Sequence, residues 1–164
     1  MNSRNGKTLI LGIGNLLLGD EGVGVHVVRH IEASGPLPAD VECLDGGTGS
    51  MVLLEPMQTA GRVILVDATC DGRPPGTVQR IRPRFASDFP PSLAAHDIGL
   101  RDLLESFYLT GNAPDVVLYA VSIELPQDMT TELGAAVAAA VPGVAKDVLA
   151  EASSLRPPAP KPPR

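Results

Sequence analysis

Residues 8–34 read TLILGIGNLLLGDEGVGVHVVRHIEAS. Thr8 to Ile13 is a short, unbroken apolar run, the pattern of a strand buried on both faces. Gly14 and Asn15 end it. From Gly22 to Ser34 the period changes: Val23, Val27 and Ile31 recur every four residues, which is helical spacing. Gly22, Gly24 and the many β-branched residues give this helix poor intrinsic propensity, so tertiary packing must hold it. Strand, loop and helix in this order open a parallel α/β unit.

The same alternation continues down the chain. Val41 to Leu44 reads as a second strand, stopped by Asp45-Gly46-Gly47, and Ser50 to Thr59 as a helix that Thr48 would cap. Val63 to Val66 is a third strand, ending on Asp67. Gly76 to Ile81 follows after a short loop of Gly and Pro. A parallel crossover needs about a dozen residues or more, so this strand must run antiparallel. Asp97 to Tyr108 carries Leu100, Leu103, Leu104 and Phe107 on one helical face, and Val116 to Val121 is the last strand. Met129 to Ala150 reads as the last helix, with a stripe of Leu133, Val137, Val141, Val144 and Val148 and a kink expected at Pro142. The expected fold is a three-layer α/β sandwich: a mostly parallel, twisted five-stranded sheet with one antiparallel strand and helices on both faces. Residues 1–151 form a single domain in this reading. Residues 152–164 are a Pro-rich flexible tail that cannot contribute to a core.

The composition narrows the function. Hydrophobic residues make up 44% of the 164 and aromatic residues only 3%, with no Trp, so the core must be built from Val, Leu, Ile and Ala. The formal net charge of -6 repels phosphate backbones and argues against nucleic acid as a partner. No apolar stretch is long enough to cross a bilayer. Cys43 and Cys70 make no CxxC pair, which excludes a zinc knuckle. Cys70 has no His close in sequence to activate it as a nucleophile. The polar start, Met1 to Lys7, lacks the h-region of a signal peptide, and the expected location is the cytoplasm, with reduced thiols.

In a doubly wound sheet the working site lies at the carboxyl ends of the strands, where strand order reverses. If the order begins 2-1-3, that crevice opens between the first and third strands. The residues there are Asp20-Glu21 and Asp67, read as lying near the strand ends rather than in the core. A dinucleotide fingerprint fails, because Leu17 stands three residues after Gly14 where Gly is required. Two carboxylates at a helix start would also compete with a phosphate for the helix dipole. Asp20 reads as the cap of the helix it precedes. Leu16, Leu17 and Leu18 beside these acids look like the apolar rim of a cleft. Asp67 is followed by loop, which weakens a capping role for it. His96 sits at the mouth of a helix, where the dipole favours neutral imidazole, the metal-ligating form. Glu, Asp and His together make a mixed nitrogen and oxygen site that suits zinc, nickel or iron. His26 and His30 share a helix face, but no third ligand is evident, and they read as solvated or packing residues. Asp45, Gly46, Gly47 and Thr48 form a turn that also lines the crevice.

Four blocks in order carry a resemblance to a known family. They are GIGNLLLGDEGVGVHVV (12–28), LDGGTGSMVLLE (44–55), ILVDA (64–68) and HDIGLRDLL (96–104). From Thr8 to about Leu149 the chain resembles the maturation proteases of nickel-iron hydrogenases. The resemblance places Glu21, Asp67 and His96 on the family's three metal-contacting positions, with Asp67 and Glu21 as the catalytic pair and Asp45 to Thr48 beside the substrate. Ala94 stands where many relatives have Ser. The implied activity is removal of a C-terminal extension from the hydrogenase large-subunit precursor once nickel is inserted. The implied nickel comes with the substrate, and no tightly bound organic cofactor is expected. The partner is the precursor, and the protein is expected to be a monomer. Two mechanisms fit: nickel held by the three residues polarises the scissile carbonyl or activates water, or the metal only docks the substrate and a carboxylate acts as base. Asp67, on a rigid strand end, is the stronger choice for that base. A non-proteolytic nickel-binding chaperone on the same scaffold and a nucleotide-dependent α/β enzyme are the rival readings.

Overall fold

A computed structural model describes residues 5–49, 51–84, 86–90 and 98–154. The strands are β1 (Asn5–Ile13), β2 (Val41–Gly47), β3 (Ala60–Thr69), β4 (Val78–Ile81) and β5 (Asp115–Ser122). The helices are α1 (Val23–Ala33), α2 (Leu54–Thr59), α3 (Ile98–Leu109) and α4 (Ala135–Ser153). The sheet order is β2-β1-β3-β5-β4, so strand order reverses between β1 and β3 as expected. All pairs are parallel except β4 with β5. The short β3–β4 loop therefore does force the antiparallel direction.

Two cores make three layers. Along β3 the side chains of Ile64, Val66 and Ala68 join the core shared with α1 and α4. Val63 and Leu65 join the opposite core, with Met57 of α2 and Leu103, Leu104 and Phe107 of α3. The alternation follows from the two-residue period of a strand. The only aromatic side chains buried below a tenth exposure among the described residues are Phe89, Phe107 and Tyr119, so aliphatic residues fill most of the interior. No helix among the described residues is long and apolar enough to cross a membrane.

Two local expectations are corrected. The last helix begins at Ala135, not Met129, because residues before it pair instead with the loop after β1. Neither Asp20 nor Thr48 caps the helix that follows it. α1 is entered through a 3-10 turn, Gly19–Gly22, and α2 through another, Met51–Leu53, with no side-chain cap hydrogen bond at α1 or α2. α4 runs from Ala135 to Ser153 with Pro142 inside it, on an exposed position where the proline ring meets solvent rather than the sheet.

Candidate active site

The crevice is made by two strands parting. β1 and β3 stay in register only as far as Gly12 opposite Val66. Beyond that point Ile13 pairs with Gly47 of β2, and the Gly14 N–H donates to the Gly47 carbonyl at 2.9 Å. The tip of β3 goes the other way, pairing with β5 through Asp67–Ala120, Ala68–Val121 and Thr69–Ser122. Asp67 is therefore the first residue of β3 past the parting, at the base of the opening. By alternation it follows Val63 and Leu65 onto the face that carries α2 and α3. Its Oδ1 accepts the Ala68 N–H at 2.7 Å, which fixes the plane of the carboxylate.

The 3-10 turn that bears Glu21 closes over the same opening. It can approach because glycines remove the side chains that would hold it off. A Cβ on Gly24 would lie 2.8 Å from the Ile13 nitrogen and closer still to the carbonyl oxygens of Ile13 and Val66. A Cβ on Gly12 would run into the Gly24 carbonyl, and one on Gly14, whose φ is +147°, into the carbonyl of Glu21. The first turn of α1 thus lies directly on the backbones of β1 and β3, with no side chain between them. This is the tertiary packing that a glycine-rich helix requires.

A second restraint comes from the segment after β5. Leu18 and Thr130 form a parallel bridge, in which Thr130 N–H donates to the Leu17 carbonyl at 3.0 Å and Gly19 N–H to the Thr130 carbonyl at 2.8 Å. Asp20 N–H donates to Gln127 Oε1 at 2.9 Å, and Gly134 N–H donates to Asp20 Oδ1 at 2.7 Å. Asp20 is a structural tie between the acid-bearing turn and the start of α4. Nothing local in the sequence signals Gln127 or Gly134, which lie more than a hundred positions away from Asp20. Glu21, on the turn after β1, and Asp67, two residues before the end of β3, are more enclosed than the strand-end positions expected for them: Glu21 is 9% exposed and Asp67 1%.

Asp45, Gly46 and Gly47 adjoin this opening through the Gly14–Gly47 hydrogen bond. Asp45 Oδ1 accepts the Gly47 N–H at 3.0 Å, an Asx turn that settles Gly47 at φ +49°. Asp45 Oδ2 also meets Arg29 of α1 at 3.3 Å. Thr48 is exposed just beyond. His96 lies outside the described residues. Among the described residues no group of three or more His, Cys, Asp and Glu is clustered to hold a metal. His26 is a packing residue: burial lowers its pKa below the ordinary 6.5, a hydrogen bond with the Thr131 backbone works against that shift, and the Arg29 guanidinium adds to it. His30 is exposed. Cys43 is half-buried on β2, and burial raises its thiol to about 11, as suits a packing cysteine.

A family model described as "HycI: Hydrogenase maturation protease" matches residues 25–151. The chain is 38% identical over 110 residues to the Hydrogenase 2 maturation protease of Escherichia coli (strain K12), covering 66% of this chain and 67% of that one. It is 35% identical over 117 residues to the hydrogenase expression/formation protein HupD of Bradyrhizobium diazoefficiens, covering 69% and 60%. Against several curated relatives the match spans only about half to two thirds of the relative's length. Among solved structures, the hydrogenase maturating endopeptidase HybD from E. coli superposes with a TM-score of 0.80 at 34% identity, over 88% of this chain and 91% of that one. The matched length includes Asp45, the whole of β3 with Asp67, and all four helices save the first two residues of α1 and the last two of α4. The chain belongs to the hydrogenase maturation protease family.

Proposed function

We propose that this chain is the endopeptidase that removes the C-terminal extension of a nickel-iron hydrogenase large-subunit precursor after nickel insertion, acting as a monomer in the cytoplasm. The observation that carries the reading is the parting of β1 from β3, with Asp67 at its base and Glu21 held over it on a turn pinned from two sides. Both acids belong to the end of the sheet where an α/β fold places its chemistry.

In this reading the nickel is part of the substrate. Glu21, Asp67 and His96 offer it the oxygen and imidazole donors that such an ion accepts, and a bound divalent ion can polarise the scissile carbonyl. The Asp67 carboxylate takes a proton from the attacking water and returns it to the departing amine. Its place on a strand paired with β5, and its bond from Ala68 N–H, keep it in one orientation while it does so. Glu21 holds its side of the opening against the substrate. Asp45, Gly46, Gly47 and Thr48 flank the chain that lies across the opening, where the two glycines let a backbone approach closely.

Mass spectrometry of a nickel-loaded precursor before and after incubation tests the proposal. The wild-type protein should shorten the precursor. Glu21→Gln and Asp67→Asn, which keep size and most hydrogen-bonding capacity, should leave it full length while melting close to the wild type. Normal cleavage by both variants would remove the two acids from the mechanism. A wild-type protein that binds precursor without shortening it would favour the chaperone reading.

A further inference from the structure

The large apolar side chains that this molecule leaves in water are not scattered. Leu17 is 60% exposed, Val52 77%, Leu125 47% and Met129 85%. Leu17 follows β1, Val52 follows β2, and Leu125 and Met129 follow β5, so all four stand at the carboxyl end of the sheet. Val78, at the start of antiparallel β4 and opposite Val121, belongs to the same end. Among the described residues only Leu109 is an exposed large apolar side chain at the far end. Grouped exposed apolar residues mark an interaction surface, whereas single ones are ordinary.

Part of this group is one surface by its hydrogen bonds. Thr130 N–H donates to the Leu17 carbonyl, and Gly19 N–H to the Thr130 carbonyl, so Leu17 and Met129 each adjoin the Leu18–Thr130 bridge. The same segment carries three exposed acids, Glu124, Asp128 and Glu132, and no Lys, Arg or His occurs anywhere from Asp102 to Ala145. The surface is apolar and acidic together, and it adjoins the turn that holds Glu21.

We propose that Leu17, Leu125 and Met129, set among Glu124, Asp128 and Glu132, are the docking surface for the folded part of the precursor, and that they fit an apolar patch flanked by Lys or Arg. The inference rests on the proposed reading of the neighbouring opening as the cleavage site. It adds that the protease grips its substrate protein beside the cleavage point and not by the scissile segment alone. Apolar contact supplies affinity, and the acids supply orientation and a salt-dependent association rate.

The test uses the full-length protein and a nickel-loaded precursor. Binding is titrated in the Glu21→Gln background, and cleavage is measured in the wild-type background. Leu17→Ser with Met129→Ser should raise Kd and KM about tenfold. Its kcat and melting temperature should not change, because these side chains are exposed. Glu124→Gln with Asp128→Asn and Glu132→Gln should slow association and flatten its dependence on salt. Unchanged Kd and KM in both variants would overturn the proposal. So would a change confined to self-association in sedimentation, which would make the face a contact between copies of this chain. Should the wild type bind the precursor through this surface without shortening it, the docking site stands and the endopeptidase reading falls. Absence of any binding would overturn the docking site.

Discussion

Gly24→Ala puts the packing of the acid-bearing turn to a quantitative test. The added Cβ would lie 2.8 Å from the Ile13 nitrogen and nearer still to the Val66 and Ile13 carbonyl oxygens. Ordinary contact begins near 3.4 Å. All three obstacles are backbone atoms of the central sheet and cannot swing aside, so the first turn of α1 must lift by about 1 Å to restore van der Waals separation. Overpacking of this kind costs about 1–3 kcal/mol, and against it Ala gains about 1 kcal/mol in helix propensity. A net loss of up to about 2 kcal/mol lowers the melting temperature by up to roughly 8 °C for a chain of this size. The lift also carries Glu21 away from Asp67, and an ångström of misplacement can cost about a hundredfold in rate. Gly143→Ala is the internal control: it is the same substitution within a helix, with nothing within 4 Å of the new Cβ, and it should raise the melting temperature by about 2–4 °C. Thermal melting by circular dichroism and precursor cleavage by mass spectrometry read both effects. If Gly24→Ala melts and cleaves like the wild type, the direct contact of α1 with the sheet does not position Glu21.

Three further outcomes are expected. Arg62 is 1% exposed and donates to Asp115 at 3.0 Å and to the Glu151 carbonyl at the end of α4 at 2.9 Å; Arg62→Met should destabilise by about 3 kcal/mol, the low end for a broken buried pair because Arg82 still holds Asp115, while cleavage per folded molecule at the opposite end of the sheet is unchanged. The lowered pKa of His26 means that the folded state resists a proton that the unfolded chain accepts, so stability should fall as pH drops below 6.5, and His26→Gln should remove that part of the slope in urea titrations run from pH 7.5 downward. Truncation before Arg156 should leave cleavage and melting unchanged at low salt, since a basic, Pro-rich tail has only exposed electrostatic contacts to offer, worth under about 1 kcal/mol; a drop in cleavage with unchanged melting would give the tail a part in holding the precursor.

The sheet was legible because its signals are local. Apolar runs of strand length, helical spacing between them and a β3–β4 loop too short for a crossover leave little freedom in the topology. Asp67 was expected to end its strand, and β3 runs on to Thr69 because Ala68 and Thr69 pair with β5. What could not be read depends on partners far away in the chain. Residues 129–134 continue the apolar pattern of the last helix, yet Thr130 N–H donates to the Leu17 carbonyl and its carbonyl accepts the Gly19 N–H, and the helix must wait until Ala135. Asp20 has the position of a cap, but the donor it serves is Gly134, not the turn it precedes. Gly12 and Gly24 look like weak points when each is read in its own element. Their use appears only when the strand and the helix are laid against each other.

Asp20 and Glu21 show how adjacent acids can divide one task. Gly134, at the N-cap of α4, has no side chain to cap the helix, and the carboxylate of Asp20 accepts the Gly134 N–H. A negative group at a helix N-terminus is favoured by the unpaired amides and the dipole there, so the tie stabilises α4 as well as the turn. α4 in turn shares a core with α1, through Val137, Val141, Val144 and Val148 against Val23, Val27 and Ile31. The restraint around Glu21 therefore closes on itself. β1 is tied to β2 at Gly14, α1 is seated on β1 and β3 at Gly24, and the turn between them is tied to α4 at Asp20. Any one of these ties would leave the turn free to pivot about it. The three together act on different sides of Glu21, and a frame of this kind restrains the turn that carries its buried carboxylate.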